Sequence, residues 1–179
     1  GHIRGGLAHA NILVSMIFAG VSGSSTADTA GVGKILIPNM MNTGYDKETA
    51  VGVTAASSTI GVIIPPSIPM IVYAGLTNAP IAALFVAGIV PGVLIGLGMM
   101  LVVYVMSFKR GYPKYQKTTM PQFLKLLLDT IPALLTPVII IGGIVTGWYT
   151  ATEAAAFACL YALVISMFVY RTLTLRDLH

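Results

Sequence analysis

The sequence predicts an all-α integral membrane protein that contains a re-entrant helical hairpin and broken transmembrane helices. Of its 179 residues, 56% are apolar and only 9% are charged, with a mean hydropathy of +0.87. A soluble domain of this composition could not cover its water-facing helices with charge. In addition, glycine, serine, threonine and proline interrupt two apolar stretches, at 19–33 and at 56–69. Because lipid does not tolerate unpaired backbone groups, such interruptions indicate a protected polar site.

The charged residues favour a membrane protein over a nucleic-acid-binding one. The pI is about 9.3, but the basic residues lie between apolar runs and form no stripe interleaved with aromatic residues. Cys159, the one cysteine, lies in an apolar stretch, which excludes an intrachain disulfide and favours a packing role. Residues 1–6 lack the apolar core of a signal peptide, and the chain stops soon after a helix. We therefore expect an internal piece of a longer protein.

Segment 1–43 is predicted to form the re-entrant hairpin. The apolar stretch Leu7–Gly20 would be about 21 Å long as a helix, against a hydrocarbon core of about 30 Å, so it can enter but not span. Lys34–Met41 is a second short arm, and Thr26 or Asp28 is a candidate cap for its start. The alternative is a pair of ordinary soluble core helices.

Segment 44–78 is predicted to be a broken transmembrane helix, because three prolines within five residues, Pro65, Pro66 and Pro69, cannot continue a regular helix. Segment 79–108 is predicted to be an unbroken transmembrane helix. Its glycines at positions 88, 92 and 96 recur every four residues, which favours a face for close helix packing.

Segment 109–131 is predicted to be a cytoplasmic connector followed by an amphipathic arm along the membrane surface. Segment 132–179 is predicted to be a pair of transmembrane helices, Pro132–Val145 and Thr152–Tyr170. Thr152 is a candidate N-cap of the second helix, and Glu153 lies in its first turn, as a cap or an interhelix hydrogen-bond partner.

The distribution of lysine and arginine predicts the orientation. With this topology, nine of the ten basic residues lie on one face, and the two opposite loops carry none. The nine are Arg4, Lys47, Lys109, Arg110, Lys114, Lys117, Lys125, Arg171 and Arg176. By the positive-inside rule this face is cytoplasmic, and the hairpin enters from it.

The two interruptions share similar short sequences, Gly23-Ser24-Ser25-Thr26 and Ala56-Ser57-Ser58-Thr59. Unwound carbonyls and hydroxyls suit a hard monovalent cation such as sodium, and paired broken helices are typical of secondary transporters, whose helix N-termini favour an anionic substrate. The alternative is that these hydroxyls bond to their own helices. For Asp28 the alternatives are helix capping and a role with ion or substrate.

Two other functions are alternatives. Gly20-Val21-Ser22-Gly23 resembles the motif of an intramembrane serine hydrolase with Ser22 as nucleophile, but all three histidines lie outside or at the edge of the predicted membrane helices. A passive channel or a structural membrane subunit is the other alternative. The chain has no phosphate-binding loop and no cluster with the spacing of metal ligands.

Three motifs resemble one family. The stretches 20–28, 57–67 (Ser-Ser-Thr-Ile-Gly-Val-Ile-Ile-Pro-Pro-Ser) and 150–156 (Thr-Ala-Thr-Glu-Ala-Ala-Ala) are similar, in this order, to the large, DctM-like membrane subunit of tripartite ATP-independent periplasmic (TRAP) transporters. The likeness covers nearly the whole chain. Ala151 stands where the family usually has proline.

The resemblance implies a multi-pass protein of the bacterial inner membrane that is not an enzyme. It would belong to a sodium-driven importer of organic acids, such as dicarboxylates or sialic acids, with sodium as coupling ion and no other cofactor. A small membrane subunit and a periplasmic substrate-binding protein would be its partners. The family fold would be an elevator of two inverted repeats, of which this chain holds the first hairpin, its broken helix, the arm and the opening of the second repeat.

The resemblance also implies roles for individual residues. Sodium would be bound by Ser24, Ser25, Ser58, Thr59 and Gly61. Gly20 and Gly23 would allow the turn of the hairpin tip, Pro65 and Pro66 would keep the second helix open, and Ser67 would lie beside the cavity. Thr26, Asp28 and Ser57 complete the predicted ion- and substrate-binding set.

Overall fold

The computed structural model describes residues 4–112 and 120–173, which form helices and no strand. The backbone divides into two compact units, Gly1–Thr118 and Thr119–His179, and each is described by itself. Part of the predicted cytoplasmic connector, residues 113–119, lies outside the described residues, as do His2, Arg176 and His179.

The first unit contains five α-helices among its described residues: α1 Gly6–Ser22, α2 Ser25–Asn42, α3 Lys47–Ser58, α4 Ile68–Thr77 and α5 Ile81–Arg110. A 3₁₀ turn, Thr59–Val62, follows α3 directly. In the second unit, α6 is Met120–Val145 and α7 is Ala151–Val164, and a π-helical turn, Ile165–Val169, follows.

The helices α1 and α2 form an antiparallel hairpin. Asn11, near the start of α1, donates to Sδ of Met40, near the end of α2, at 3.3 Å. The interruption is narrower than the sequence predicts, because only Gly23 and Ser24 separate the two helices. Gly31 and Gly33 do not break α2 but let it pack closely: a Cβ at Gly33 would lie 3.3 Å from the methyl group of Thr54.

The cap of α2 also differs from the prediction. Ser24, in extended conformation, is the N-cap, and its Oγ accepts from the backbone N–H of Ala27 at 3.5 Å. Neither Thr26 nor Asp28 caps the helix, because both lie within its first turn, where Asp28 is buried.

The second interruption lies between α3 and α4. The chain leaves helical geometry after Val62 and resumes it at Ile68, where Ser67 is the N-cap. The Pro65–Pro66 peptide bond is cis. Pro65 and Pro66 thus occupy the non-helical segment, whereas Pro69 lies in the first turn of α4, where a missing N–H group costs nothing.

The glycine face of α5 is confirmed as a packing face. Gly88, Gly92 and Gly96 are buried. A Cβ at Gly88 would lie 2.5 Å from the carbonyl oxygen of Ile63, and one at Gly92 or Gly96 would overlap Ile64 or Met16. The spacing of four therefore lets α5 approach both the hairpin and the second interruption.

Three of the described helices are long and apolar enough to cross a membrane: Ile81–Arg110, Leu128–Val145 and Ala151–Val169. The helices α1 and α4, with 17 and 10 residues, are shorter apolar helices. This combination is that of an all-α membrane protein.

In the second unit, the predicted arm and the predicted crossing lie within one continuous helix, α6, which includes Pro132 and Pro137. The N-cap of α7 is Thr150 and not Thr152. Glu153 accepts from the backbone N–H of Thr150 at 2.7 Å, and Thr150 Oγ1 accepts from the backbone N–H of Glu153 at 3.3 Å. Because this reciprocal pair needs a spacing of three, it selects Thr150 over Thr152.

Candidate functional site

The hairpin tip lies directly against the second interruption. Gly23 has φ +62°, a left-handed conformation that glycine adopts without strain. Its carbonyl oxygen accepts from the backbone N–H of Ile68 at 3.2 Å, and a Cβ on it would lie 2.7 Å from the carbonyl oxygen of Pro66. Gly20, by contrast, lies within α1, so the turn depends on Gly23 alone of these two glycines.

Asp28 lies beside this contact, between Ser22 and Gly61, and is 0% exposed. Its Oδ1 accepts a short hydrogen bond from the hydroxyl of Ser22. Its Oδ2 has no hydrogen-bond partner among residues 4–112 and 120–173, and it faces Gly61, where a Cβ would overlap it. A buried carboxyl oxygen without a partner is energetically costly, which makes Asp28 a candidate for a role beyond packing.

Helix ends of both polarities meet around Asp28. The carboxyl end of α1 and the 3₁₀ turn after α3 bring carbonyl groups, while the first turn of α2 brings backbone N–H groups that have no partner within the helix. At the start of α4 the N–H groups are already used, because Ile68 donates to Gly23 and Met70 donates to Ser67. Carbonyl groups favour a cation, and N–H groups favour an anion. The junction can therefore hold a cation and an anionic group close together.

A shallow cavity of about 350 Å³ opens beside this junction, between α2 and α3. Ser25 and Thr26 line it from the first turn of α2, and Thr59 lines it from the 3₁₀ turn. Residues from the two predicted serine-rich stretches thus share one cleft. Ser57 and Ser58 are 0% exposed and do not reach it.

Three of the predicted hydroxyls, those of Ser57, Ser58 and Thr59, donate to carbonyl groups of the preceding helical turn, and that of Ser67 donates across the interruption. Ser58 donates to the carbonyl oxygen of Thr54 at 2.8 Å, Thr59 to that of Ala56 at 2.7 Å, and Ser67 to that of Val62 at 2.7 Å. These bonds use the hydroxyl proton and leave oxygen lone pairs, which are what a cation binds. Back-bonding therefore orients these oxygens without excluding them as ligands.

The sequence interpretation missed two features of the site. One is the bond from Ser22 to Asp28, which needs the turn at Gly23 to bring positions six apart together. The other is a buried polar contact between α1 and α3: Asn11 donates to Thr54 Oγ1 at 2.7 Å, and Ser15 and Ser57 share a hydrogen bond of 2.8 Å. The sequence does contain a signal for this contact: Asn11 and Ser15 are polar residues four apart in an apolar helix, and they therefore lie on one face of it.

A second carboxylate lies at the opposite end of the hairpin. Asp46 caps α3 and forms a 2.8 Å ion pair with Arg110, the last residue of α5. Its Oδ1 accepts a short hydrogen bond from Tyr112, whose ring stacks on Tyr45 with centroids 4.3 Å apart. The bonds from Tyr112, Thr49 and Arg110 hold the pKa of Asp46 well below its ordinary value.

A helical hairpin packed against an interrupted helix and against α5, a helix of membrane-spanning length, is the arrangement of one class of protein, the membrane transporters. Comparison with known proteins gives the family. The model of the DctM component of the tripartite ATP-independent periplasmic transporters matches residues 1–179, and the chain belongs to this family.

Curated relatives are similar over almost the whole chain. The chain is 46% identical over 178 residues to the sialic acid TRAP transporter permease protein SiaT of Haemophilus influenzae, covering 99% of this chain and 29% of the relative. It is 43% identical over 177 residues to the C4-dicarboxylate TRAP transporter large permease protein DctM of Pseudomonas aeruginosa, covering 99% and 42%. It is 41% identical over 178 residues to the 2,3-diketo-L-gulonate TRAP transporter large permease protein YiaN of Escherichia coli, covering 99% and 42%.

The chain thus spans less than half the length of these relatives. All three are transporter permeases, and the chain is accordingly a multi-pass protein of the inner membrane and not an enzyme. The serine hydrolase alternative also lacks geometric support in the described residues. The Ser22 hydroxyl donates to a carboxylate, and His9 lies at the other end of α1, about 20 Å away along the helix.

Proposed function

We propose that the complete protein is the large membrane subunit of a sodium-coupled secondary transporter that imports organic acids. The observation that carries this proposal is the buried Asp28, whose Oδ2 faces Gly61 without a partner at the junction of two helix interruptions. Sialic acid, C4-dicarboxylates and diketogulonate, named for the relatives, are all organic acids.

The donor set around Asp28 fits sodium. A hard cation prefers oxygen ligands, and the junction offers the carboxylate, the Ser22 hydroxyl and the carbonyl groups at the ends of α1 and of the 3₁₀ turn. A bound cation would offset the cost of burying the negative charge. We therefore centre the proposed site on Asp28, Ser22 and Gly61. The predicted ligands Ser24, Ser25, Ser58 and Thr59 would surround it.

The substrate carboxylate would bind nearby, where the N-terminus of α2 favours an anion. The cleft lined by Ser25, Thr26 and Thr59 leads to this position. Cation and carboxylate would then stabilise each other, which is a physical basis for coupled transport: each ligand binds more tightly when the other is present.

The proposed mechanism is an elevator. The hairpin, segment 1–43, would enter the membrane without crossing it, and together with the broken helix, segment 44–78, it would move as one transport domain. The contact of Gly23 with Ile68 and Pro66 supports a joint movement, because it joins the two segments at their tips. Segment 79–108 would be a transmembrane helix. Segment 109–131 would be the connector with its arm, and segment 132–179 would be the start of the second repeat. A small membrane subunit and a periplasmic binding protein would complete the transporter.

The test is uptake of an organic acid into proteoliposomes that hold the complete permease, its small subunit and its binding protein. Uptake is expected only with an inward sodium gradient. Asp28→Asn should lower sodium-dependent uptake at least 100-fold, about 2.7 kcal/mol, because it removes the one charged ligand from a buried site. Thr59→Ala should weaken apparent sodium affinity. Thr77→Ala is its matched control, since Thr77 makes the same backbone bond at 2.8 Å outside the site.

Uptake that is unchanged without sodium, or a sodium dependence that Asp28→Asn leaves intact, would refute the proposal. Sodium flow without organic acid uptake would favour the passive channel. Uptake driven by a pH gradient and insensitive to sodium would assign Asp28 to proton coupling.

A further inference from the structure

A second cavity, of about 540 Å³, lies between α3 and α5, with Ile12 of α1 also lining it. It is distinct from the cleft beside Asp28, and its lining is almost entirely apolar apart from one end. Both long walls contribute small residues: Gly52 and Ala56 from α3, and Gly98 from α5. A Cβ at Gly52 or at Gly98 would meet nothing within 4 Å. The cavity is therefore an open groove along one face of α5, and it is called the α3–α5 groove below.

The length of the α3–α5 groove matches one leaflet of a bilayer. Along α5 its lining extends from Ile95 to Arg110, which is about 22 Å at 1.5 Å per residue. Half of a bilayer with its headgroups is about 20–22 Å. The groove thus extends from the headgroup level at the end of α5 to the middle of the membrane.

The volume of the groove limits which kinds of molecule fit inside it. An α-helix about 10 Å in diameter and 22 Å long fills about 1,700 Å³, roughly three times the 540 Å³ of the groove. A helix from another part of the protein could therefore only lie over the groove and not within it. A single hydrocarbon chain is slender enough to lie inside.

The polar end of the groove carries a positive balance. Arg110 lines it, and its side chain is 49% exposed. Within the described residues every hydrogen bond of Arg110 leaves from Nη1, to Asp46, Thr49 and Tyr112, so Nε and Nη2 can still donate. Glu48 also lines this end, and Lys47 and Lys109, which are not lining residues, lie at the same end of α3 and α5. With the Asp46–Arg110 pair included, these groups are three cations and two carboxylates. A guanidinium with two free donors is suited to a phosphate.

We propose that the α3–α5 groove binds an anionic phospholipid of the cytoplasmic leaflet. Its phosphate lies at Arg110, and one acyl chain lies along α5 as far as Ile95. The predicted orientation agrees, since Arg110 belongs to the basic face, and the cytoplasmic leaflet carries anionic lipid. The proposal does not depend on the transport function, because none of the groove residues belongs to the proposed sodium site.

The experiment uses the complete permease in nanodiscs of phosphatidylglycerol with a trace of the same lipid carrying a diazirine at the end of one acyl chain. After photolysis, peptide mapping should place the label in 52–56 and in 95–102. Gly98→Leu should reduce this labelling at least fivefold, because the new side chain fills the groove. Gly75→Leu is the matched control: Gly75 is an exposed helical glycine outside the groove whose Cβ would also meet nothing within 4 Å, and labelling should stay within about twofold of wild type.

A second measurement on the unmodified protein does not depend on the folding of a variant. With the same trace of probe, labelling of 52–56 and 95–102 should be about fivefold weaker in nanodiscs of phosphatidylglycerol than in nanodiscs of phosphatidylcholine, because the basic end of the groove favours an anionic headgroup and unlabelled phosphatidylglycerol therefore competes better. Equal competition would refute the headgroup assignment. Label on other membrane-facing helices but not in 52–56 or 95–102 would show that protein covers the groove, and this would refute the proposal.

Discussion

Asp28 and Asp46 are two carboxylates at opposite ends of the same helical hairpin, and their surroundings differ in kind. Asp46 is partly exposed, with 34% of its side chain accessible, and it has partners on both oxygens: Tyr112, Thr49 and Arg110. Asp28 is fully buried, and one of its oxygens has no partner in the described part of the chain. Asp46 thus has the more hydrogen-bond partners, although it is in contact with water, where such partners contribute least to stability.

This difference separates a structural site from a candidate functional one. The partners of Asp46 tie the end of α5 to the start of α3 and leave neither oxygen of this carboxylate without a partner. The surroundings of Asp28 leave an acceptor free where the energetic cost of doing so is high. The predictions below test this contrast, from the largest expected effect to the smallest.

Gly61→Ala should damage the Asp28 site most among small changes. A Cβ at this position overlaps Asp28 Oδ2, so the carboxylate must move, at a cost of about 1–3 kcal/mol. Sodium affinity of the complete permease should fall about tenfold or more, measured by sodium titration of uptake. Gly75→Ala is the control, because a Cβ there meets nothing within 4 Å. Unaltered sodium affinity in Gly61→Ala would remove Asp28 Oδ2 from the site.

Gly23→Ala and Gly44→Ala form a matched pair that compares the two ends of the hairpin. Both glycines have positive φ, +62° and +94°, so alanine at either position costs about 1–2 kcal/mol of backbone strain. Only at Gly23 does the added Cβ also lie 2.7 Å from the Pro66 carbonyl oxygen, whereas at Gly44 it meets nothing. Thermal unfolding should therefore show a larger loss for Gly23→Ala, by about 1–3 kcal/mol. Equal losses would mean that the tip contact contributes little.

Asp46→Asn should have the smallest effect, and at neutral pH sodium-dependent uptake should persist. Hydrogen bonds from Tyr112, Thr49 and Arg110 lower the pKa of Asp46 in the folded protein. A lowered pKa stabilises the fold fully above the unfolded value of about 4, and this contribution is lost as the pH falls toward the folded value. The melting temperature of wild type should therefore fall more steeply than that of Asp46→Asn between about pH 5 and pH 3. If the melting temperatures of the two proteins fell in parallel with pH, the hydrogen bonds to Asp46 would not lower its pKa as described.

Much of the fold follows from local sequence. The prolines at 65, 66 and 69 predict the second interruption, because each lacks an N–H, and the glycines at 88, 92 and 96 predict the packing face of α5. Helix ends were less predictable. The glycines at 31 and 33 read locally as part of a long break, but they lie inside α2, where a Cβ on either would lie within about 3.5 Å of Phe18 or Thr54. Propensity is a weak guide where tertiary packing decides.

The site shows the same division between local and tertiary information. Serine, threonine and glycine beside the interruptions were recognisable as candidate ligands, because hydroxyls and free carbonyls are oxygen donors in any arrangement. The sequence could not show that Ser25 and Thr59 share a cleft, or that Ser57 and Ser58 are buried away from it. Those facts depend on the rotation of α3 against the hairpin.

The sequence alone determined that this chain is a helical membrane protein with two interrupted segments, because hydropathy and missing backbone donors act locally. Tertiary structure decided which of the polar groups matters. Asp28 reads in sequence as one residue of a helix start; packing of Gly61 against it removed water and left one oxygen without a partner. Burial is a property of the assembled helices, and it is burial that makes an ordinary carboxylate a candidate ion site.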